Sequence, residues 1–155
     1  MNVQQKQERH IMSRPHVSCQ SPYQKIRDGC YFISDITGSG DEAFARCTNL
    51  GAYLANFETL EEAMAMKLFL QQMNTGVHYF VGGRNINRYL QSGDWRWIKN
   101  GNATQMTYFA FGNGQPGGTA LDEQDCMLFY ANDRYKFYDV SCDHSNSQGG
   151  YICEN

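Results

Sequence analysis

Six cysteines, Cys19, Cys30, Cys47, Cys126, Cys142 and Cys153, constrain this chain of 155 residues more than any other feature. In a domain this small they are more easily explained by pairing than by free thiols, and they lack the short paired spacings of structural zinc sites. Pairing implies an oxidising, extracellular destination. Six cysteines permit fifteen pairings, and their order along the chain does not choose among them. With 41% hydrophobic and 14% aromatic residues, a chain this long buries roughly two-thirds of its unfolded surface, which suits one domain and leaves no room for a second. That domain is expected over residues 19–155. Residues 1–18 are polar with little apolar periodicity and read as a flexible tail.

Net charge is -3, and basic residues form only short clusters such as Lys6, Arg9 and Arg14. Neither nucleic acid nor an anionic membrane finds an electrostatic footprint here. No apolar run approaches the roughly 20 residues that span a bilayer, and the N-terminus lacks the apolar core of a signal peptide. The expectation is a secreted protein in its mature form, starting on an initiator Met1. Asn102-Ala103-Thr104 is an N-glycosylation acceptor triplet that agrees weakly with that compartment.

Catalysis is not expected. His10, His16, His78 and His144 show no ligand spacing, no Gly-x-Ser-x-Gly elbow is present, and Asp122 and Glu123 are too close in sequence to flank a scissile bond. Gly112-Asn113-Gly114-Gln115-Pro116-Gly117 matches the Gly-x-Gly-x-x-Gly pattern of dinucleotide-binding folds. That pattern needs a helix starting at its end, which Pro116 and the following glycines oppose. A loop with positive-φ glycines, in which the Gln115-Pro116 bond is a candidate for the cis form, is the better reading.

Local patterns point to an α+β domain. Tyr31-Phe32-Ile33 reads as a strand. Ser39 with Glu42 and Thr59 with Glu62 have the spacing of two capping boxes. The first opens a helix carrying Phe44, Cys47 and Leu50 on one face and stopped by Gly51. The second opens a longer helix with Met64, Leu68 and Phe69 as core contacts, ending near Asn74 and Gly76. Tyr79-Phe80-Val81-Gly82-Gly83 and Asp94-Trp95-Arg96-Trp97-Ile98 read as strands, with both tryptophans on one side and most often core. Residues 100–124, rich in Gly, Asn and Thr with little periodicity, are too long for an ordinary connection and read as a functional loop.

The cysteine order, the two capped helices, the Gln115-Pro116 loop, Phe137-Tyr138-Asp139-Val140-Ser141-Cys142 and Tyr151-Ile152-Cys153 together resemble a C-type lectin-like domain in its long form, similar to secreted invertebrate, molluscan-type lectins. The resemblance covers roughly Cys19 to Glu154. It implies two helices, small antiparallel sheets and a long ligand-binding loop. It also implies the pairs Cys47–Cys153, Cys126–Cys142 and Cys19–Cys30, the last closing an N-terminal hairpin. All six cysteines are then consumed, so any homodimer or larger assembly is expected to be non-covalent.

In calcium-dependent members of that family, sugar hydroxyls are held by an ion whose ligands come from a Glu-Pro-Asn or Gln-Pro-Asp loop, a Glu before the third-last cysteine, and a Trp-Asn-Asp strand. Those places read here Gln115-Pro116-Gly117, Gln124 and Phe137-Tyr138-Asp139. A hard cation wanting roughly six to eight oxygens finds too few. No metal or other cofactor is therefore expected, although Asp122, Glu123 and Asp125 leave a displaced calcium open.

The resemblance implies a carbohydrate-binding protein that acts in innate or particle recognition with little or no help from calcium. Its partners would be glycans, with Gln115, Pro116, Gly117, Asp122, Glu123, Gln124, Tyr138 and Asp139 as the contacts. Gln115 and Gln124 both donate and accept, Asp139 takes charge-assisted bonds, and Tyr138 offers an apolar face at the floor of the site. Tyr108, Tyr135 and Phe137 are candidates to emerge beside it. Galactose-type or N-acetylated sugars suit this set better than mannose. On this reading, truncating Asp139 leaves the melting temperature nearly unchanged. The rival reading is a domain of the same fold that binds protein or another non-sugar surface.

Overall fold

The computed structural model describes residues 18–143 and 148–155, so the expected tail, apart from Ser18, lies outside the described residues, as do His10, His16 and His144. Strands β1 (Gln24–Ile26) and β2 (Gly29–Gly38) form a hairpin through Arg27 and Asp28. Arg27 takes a left-handed φ of 54°, as two-residue hairpin turns favour. Cys19 pairs with Cys30 to close this unit, Cys47 with Cys153, and Cys126 with Cys142. No cysteine is free.

Helix α1 spans Gly40–Asn49. The Glu42 N–H donates to Ser39 Oγ at 3.2 Å while the Ser39 N–H donates back to Glu42 Oε1 at 3.4 Å, completing the capping box. Its buried face is Gly40, Ala43 and Cys47, whereas Phe44 and Leu50 are 42% and 49% exposed. This division of the helix has a steric cause. A Cβ at Gly40 would lie 2.7 Å from Cys126 Sγ, so only small side chains fit between this helix and the sheet.

Helix α2 spans Leu60–Met73. Thr59 accepts from the Glu62 N–H at 3.3 Å, and Asn74 caps the far end in the left-handed region. Here too the inward face is carried by other residues than expected, namely Ala63, Met66 and Leu70. Met64 and Leu68 are exposed and Phe69 is half-buried.

The remaining strands are β3 (Tyr53–Leu54), β4 (Tyr79–Asn85), β5 (Trp95–Lys99), β6 (Asn102–Gln105), β7 (Cys126–Tyr130), β8 (Lys136–Val140) and β9 (Gly149–Glu154). They form one connected system, ordered β1-β2-β9-β4-β5-β6, in which β3 pairs with β9 and β7 joins β4 to β8. All pairings are antiparallel except β4 with β9. The α+β assignment holds. Strand β6 was not expected, because it lies exposed along its whole length and shows no inward face for a periodic pattern to mark. It shortens the irregular loop to residues 106–125.

An aromatic core sits beneath that loop. Phe57 meets the edge of Trp97 at 6.0 Å between centroids, and Phe129 stacks on Phe137 at 4.9 Å. Trp95 and Trp97 are both buried, as alternation along β5 requires. Tyr135 and Phe137 are buried as well, not emergent.

Candidate functional site

Loop 106–125 is tied down at intervals along its length. Met106 is buried, and the Tyr108 hydroxyl donates to the Phe57 carbonyl at 2.5 Å. The Phe137 N–H donates to the Ala110 carbonyl and the Gly112 N–H to the Phe137 carbonyl, both at 3.1 Å. Phe111 is thereby fixed beside Phe137. Gly114 turns the chain with a φ of 77°, and the Gln115-Pro116 bond that follows is cis.

The decisive contact comes next. Asp139, 4% exposed, accepts the Gly117 N–H on Oδ1 at 2.7 Å and the Gly118 N–H on Oδ2 at 2.8 Å. Charge-assisted bonds of this length are among the stronger ones a loop can make. Burial raises the Asp139 carboxyl above its ordinary range, partly offset by the two N–H donors. The carboxylate is thus spent on holding the loop, and its oxygens do not face outward as sugar acceptors.

Above this clamp the two amides converge. A Cβ on Gly117 would lie 3.4 Å from Gln124 Oε1 and 3.8 Å from Gln115 Nε2. Gln124 Nε2 donates to Asp122 Oδ2 at 3.3 Å, and Thr119 accepts the Asp122 N–H at 3.1 Å. The structure therefore gathers Gln115, Pro116, Gly117, Asp122, Gln124 and Asp139 on one segment of loop and strand.

Two expected residues are not in this group. Glu123 is drawn away by Arg88, whose other guanidinium nitrogen donates to Asp125 Oδ2 at 2.6 Å. Tyr138 adjoins Asp139 on β8, so the pleat sends the two to opposite faces. Its ring stacks on Tyr130 at 4.3 Å and its hydroxyl donates to Asp133 Oδ2 at 2.8 Å. Tyr138 therefore supports the loop at Gly112, where a Cβ would lie 2.5 Å from its ring, and does not floor the Gln115–Gln124 group. His78 is satisfied structurally, accepting the Ala131 N–H at 2.9 Å.

The donors on this loop do not fit calcium. Both oxygens of Asp139 are engaged by backbone N–H groups, Glu123 and Asp125 face Arg88, and Asp122 receives the Gln124 amide. At the loop and strand positions Gln115, Gly117, Gln124 and Asp139 the side chains bring a single carboxylate, short of the charge and the roughly six to eight oxygens a calcium ion takes. Among the described residues the one cluster of metal-ligand types is Asp41 with Cys126 and Cys142, and those sulfurs are joined as a disulfide.

Arg88 and an aromatic cleft are features that sequence reasoning missed. Phe109 is 66% exposed and stacks on Phe111, which meets the edge of Trp95 at 5.4 Å. These rings wall a cavity of ≈ 410 Å³ on the far side of Gln115 and Pro116. Two aromatic residues at alternate positions in a polar loop, Phe109 and Phe111, were the available signal.

Residues 37–155 match the family model for the lectin C-type domain. The chain belongs to the C-type lectin domain family. It is 24% identical over 138 residues to C-type lectin domain family 4 member E of Mus musculus, which covers 88% of this chain and 59% of that relative. With C-type lectin 37Da of Drosophila melanogaster it shares 25% over 138 residues, covering 86% and 72%. The chain thus spans about three-fifths of the length of the first of these relatives.

Among solved structures, the complex of SPL-1 with GlcNAc superposes with a TM-score of 0.72 at 21% identity, covering 90% of this chain and 96% of that one. A calcium-independent type II antifreeze protein gives 0.67 at 22% identity, covering 88% and 93%. At such identities the likeness is one of fold. As a C-type lectin domain, this chain keeps the Gln-Pro loop and holds it through Asp139.

Proposed function

We propose that this C-type lectin domain, residues 19–155, is an extracellular carbohydrate-binding module acting in recognition of microbial or dietary particles, with little or no dependence on calcium. The sugar is met by Gln115, Pro116, Gly117, Asp122 and Gln124. Asp139 acts from beneath by fixing the loop. The observation that carries the reading is the clamp of Gly117 and Gly118 on Asp139, which gives the loop its shape through the chain's own carboxylate. Binding groups preorganised in this way lose less entropy when a ligand arrives.

Two carboxamides and one carboxylate offer both donors and acceptors to hydroxyl and acetamido groups. Galactose-type and N-acetylated sugars are the preferred class, and the neighbour solved with GlcNAc supports that choice. A single shallow site binds a monosaccharide weakly, so useful avidity requires a non-covalent dimer or larger assembly.

A glycan array run once with calcium and once with EDTA tests this reading. Equal retention of galactose-type or N-acetylated glycans in both conditions is the expected result. Loss in EDTA would return the ion to the site, and no retention on any glycan would favour a protein or other non-sugar surface as the ligand.

A further inference from the structure

Gln115 and Pro116 have two sides. One faces the Gly117 and Gln124 group; the other lines the ≈ 410 Å³ cleft together with Phe109, Phe111, Trp95 and Gln105. That volume lies toward the lower end of the roughly 300–1,000 Å³ typical of small-molecule sites.

Its chemistry is specific. Phe109 and Phe111 present nearly parallel rings, 17° apart, and Phe109 exposes 66% of its surface. Trp95 is 4% exposed, and its Nε1 is buried without a partner among the described residues, as is Gln115 Oε1. Trp95 and Gln115, which carry this orphan donor and orphan acceptor, thus line the cleft beside its apolar wall. Buried polar groups left unpaired in a native fold call for an explanation. A hydroxyl-bearing ring supplies one, because each hydroxyl both donates and accepts while the ring's C–H face rests on the aromatic wall.

Charge narrows the class further. Asp94, on the rim, is engaged by Arg96 through Nε at 2.8 Å and a second nitrogen at 3.1 Å. The acid is neutralised within the protein, so an uncharged ligand fits better than an ionic one.

We propose that the Phe109–Phe111–Trp95 cleft is a second carbohydrate subsite, which takes the pyranose next to the one held at Gln115 and Gln124. The inference rests on the loop binding glycans. The segment Gln115-Pro116 is the wall shared by the two subsites. An oligosaccharide spanning it makes contacts that no monosaccharide can make at once.

The test is a fluorescence titration with GlcNAc and the chitin disaccharide, and in parallel with galactose and lactose. The chain has 2 tryptophans, of which Trp95 lines the cleft and Trp97 does not, so a ligand-induced change in emission reports Trp95. The disaccharide of the preferred pair is expected to bind about tenfold tighter than its monosaccharide, a gain of the size one stacked ring supplies. Phe109→Ala and Gln105→Ala should each reduce that gain, with melting temperatures unchanged because both side chains are exposed. Gln124→Ala should weaken mono- and disaccharide alike. A disaccharide gain that survives Phe109→Ala overturns the subsite. If Gln124→Ala alone abolishes binding, the loop reading stands without it. If Phe109→Ala alone abolishes binding, the cleft stands and the loop contacts fall. If no saccharide binds the wild-type chain, both are overturned.

Discussion

Replacing Asp139 by alanine separates a sugar contact from a structural clamp. As a pure ligand contact, the carboxylate would be lost with little effect on melting. The structure instead places it at 4% exposure with both oxygens on backbone N–H groups. A hydrogen bond to a charged group contributes about 1.5–3 kcal/mol net, so two such bonds are worth about 3–6 kcal/mol. Against this stands the cost of keeping a charge buried, seen in the raised pKa of Asp139. The sign follows from linkage. With its folded pKa above the unfolded one, the group binds its proton more tightly in the native state, so its own titration subtracts stability as pH rises through that window. Alanine recovers that part at neutral pH. The net loss should be about 2–4 kcal/mol, or roughly 6–12 °C in melting temperature for a domain of this size. Asp139→Asn, which keeps one acceptor, should lose about half as much. Circular-dichroism melts give the global figure, and amide exchange at Gly117 and Gly118 gives the local one. An Asp139→Ala protein that melts within about a degree of wild type, with exchange at those two glycines unchanged, would refute the clamp.

Two further predictions concern the scaffold. Burial pushes the Glu154 carboxyl up from 4.5 to about 7, so the unfolded chain releases this proton before the native one does. Stability from this group is complete below the unfolded value and declines by about 3 kcal/mol at most as pH rises to about 7. Glu154→Gln keeps an oxygen for the Asn56 N–H and should be more stable than wild type near pH 8 but not near pH 4 in urea denaturation. The Cys47–Cys153 bond joins residues 106 apart. Replacing both cysteines by alanine should cost about 4–5 kcal/mol in the same assay, against about 3 kcal/mol or less for the pair Cys19–Cys30.

What could be read in the sequence was whatever is carried by local chemistry. The Ser39–Glu42 box and the alternation of Trp95 and Trp97 are short-range, and each appears where its pattern puts it. Helix faces were read less well, because Phe44, Met64 and Leu68 are large and apolar yet point outward while Ala43 and Ala63 point in. At α1 the sheet's close approach selects for small volume, and hydrophobicity alone does not report it. In the loop, the composition at positions 115, 117 and 124 was visible. The pairing of Arg88 with Glu123 and Asp125, 35 and 37 residues away, was not, since an ion pair at that separation leaves no periodic trace.

The glycines show why losing ligand oxygens and gaining the clamp belong together. Gly118 passes so close to its neighbours that a Cβ there would lie 2.9 Å from Gln124 Cβ and 3.1 Å from Asp139 Oδ2. A side chain at that point would push the loop off the carboxylate. At Gly117, the position where a ligand side chain is expected in calcium-dependent relatives, the bare backbone sends its N–H down to Asp139. A carboxylate that accepts two N–H donors is already partly neutralised and has little left to offer a cation. On the calcium-independent reading proposed above, the same two residues tie the loop in place of an ion. What remains on the outer side is a fixed loop carrying two amides, with aromatic rings on its far flank, and both are groups that recognise sugars by hydrogen bonding and stacking.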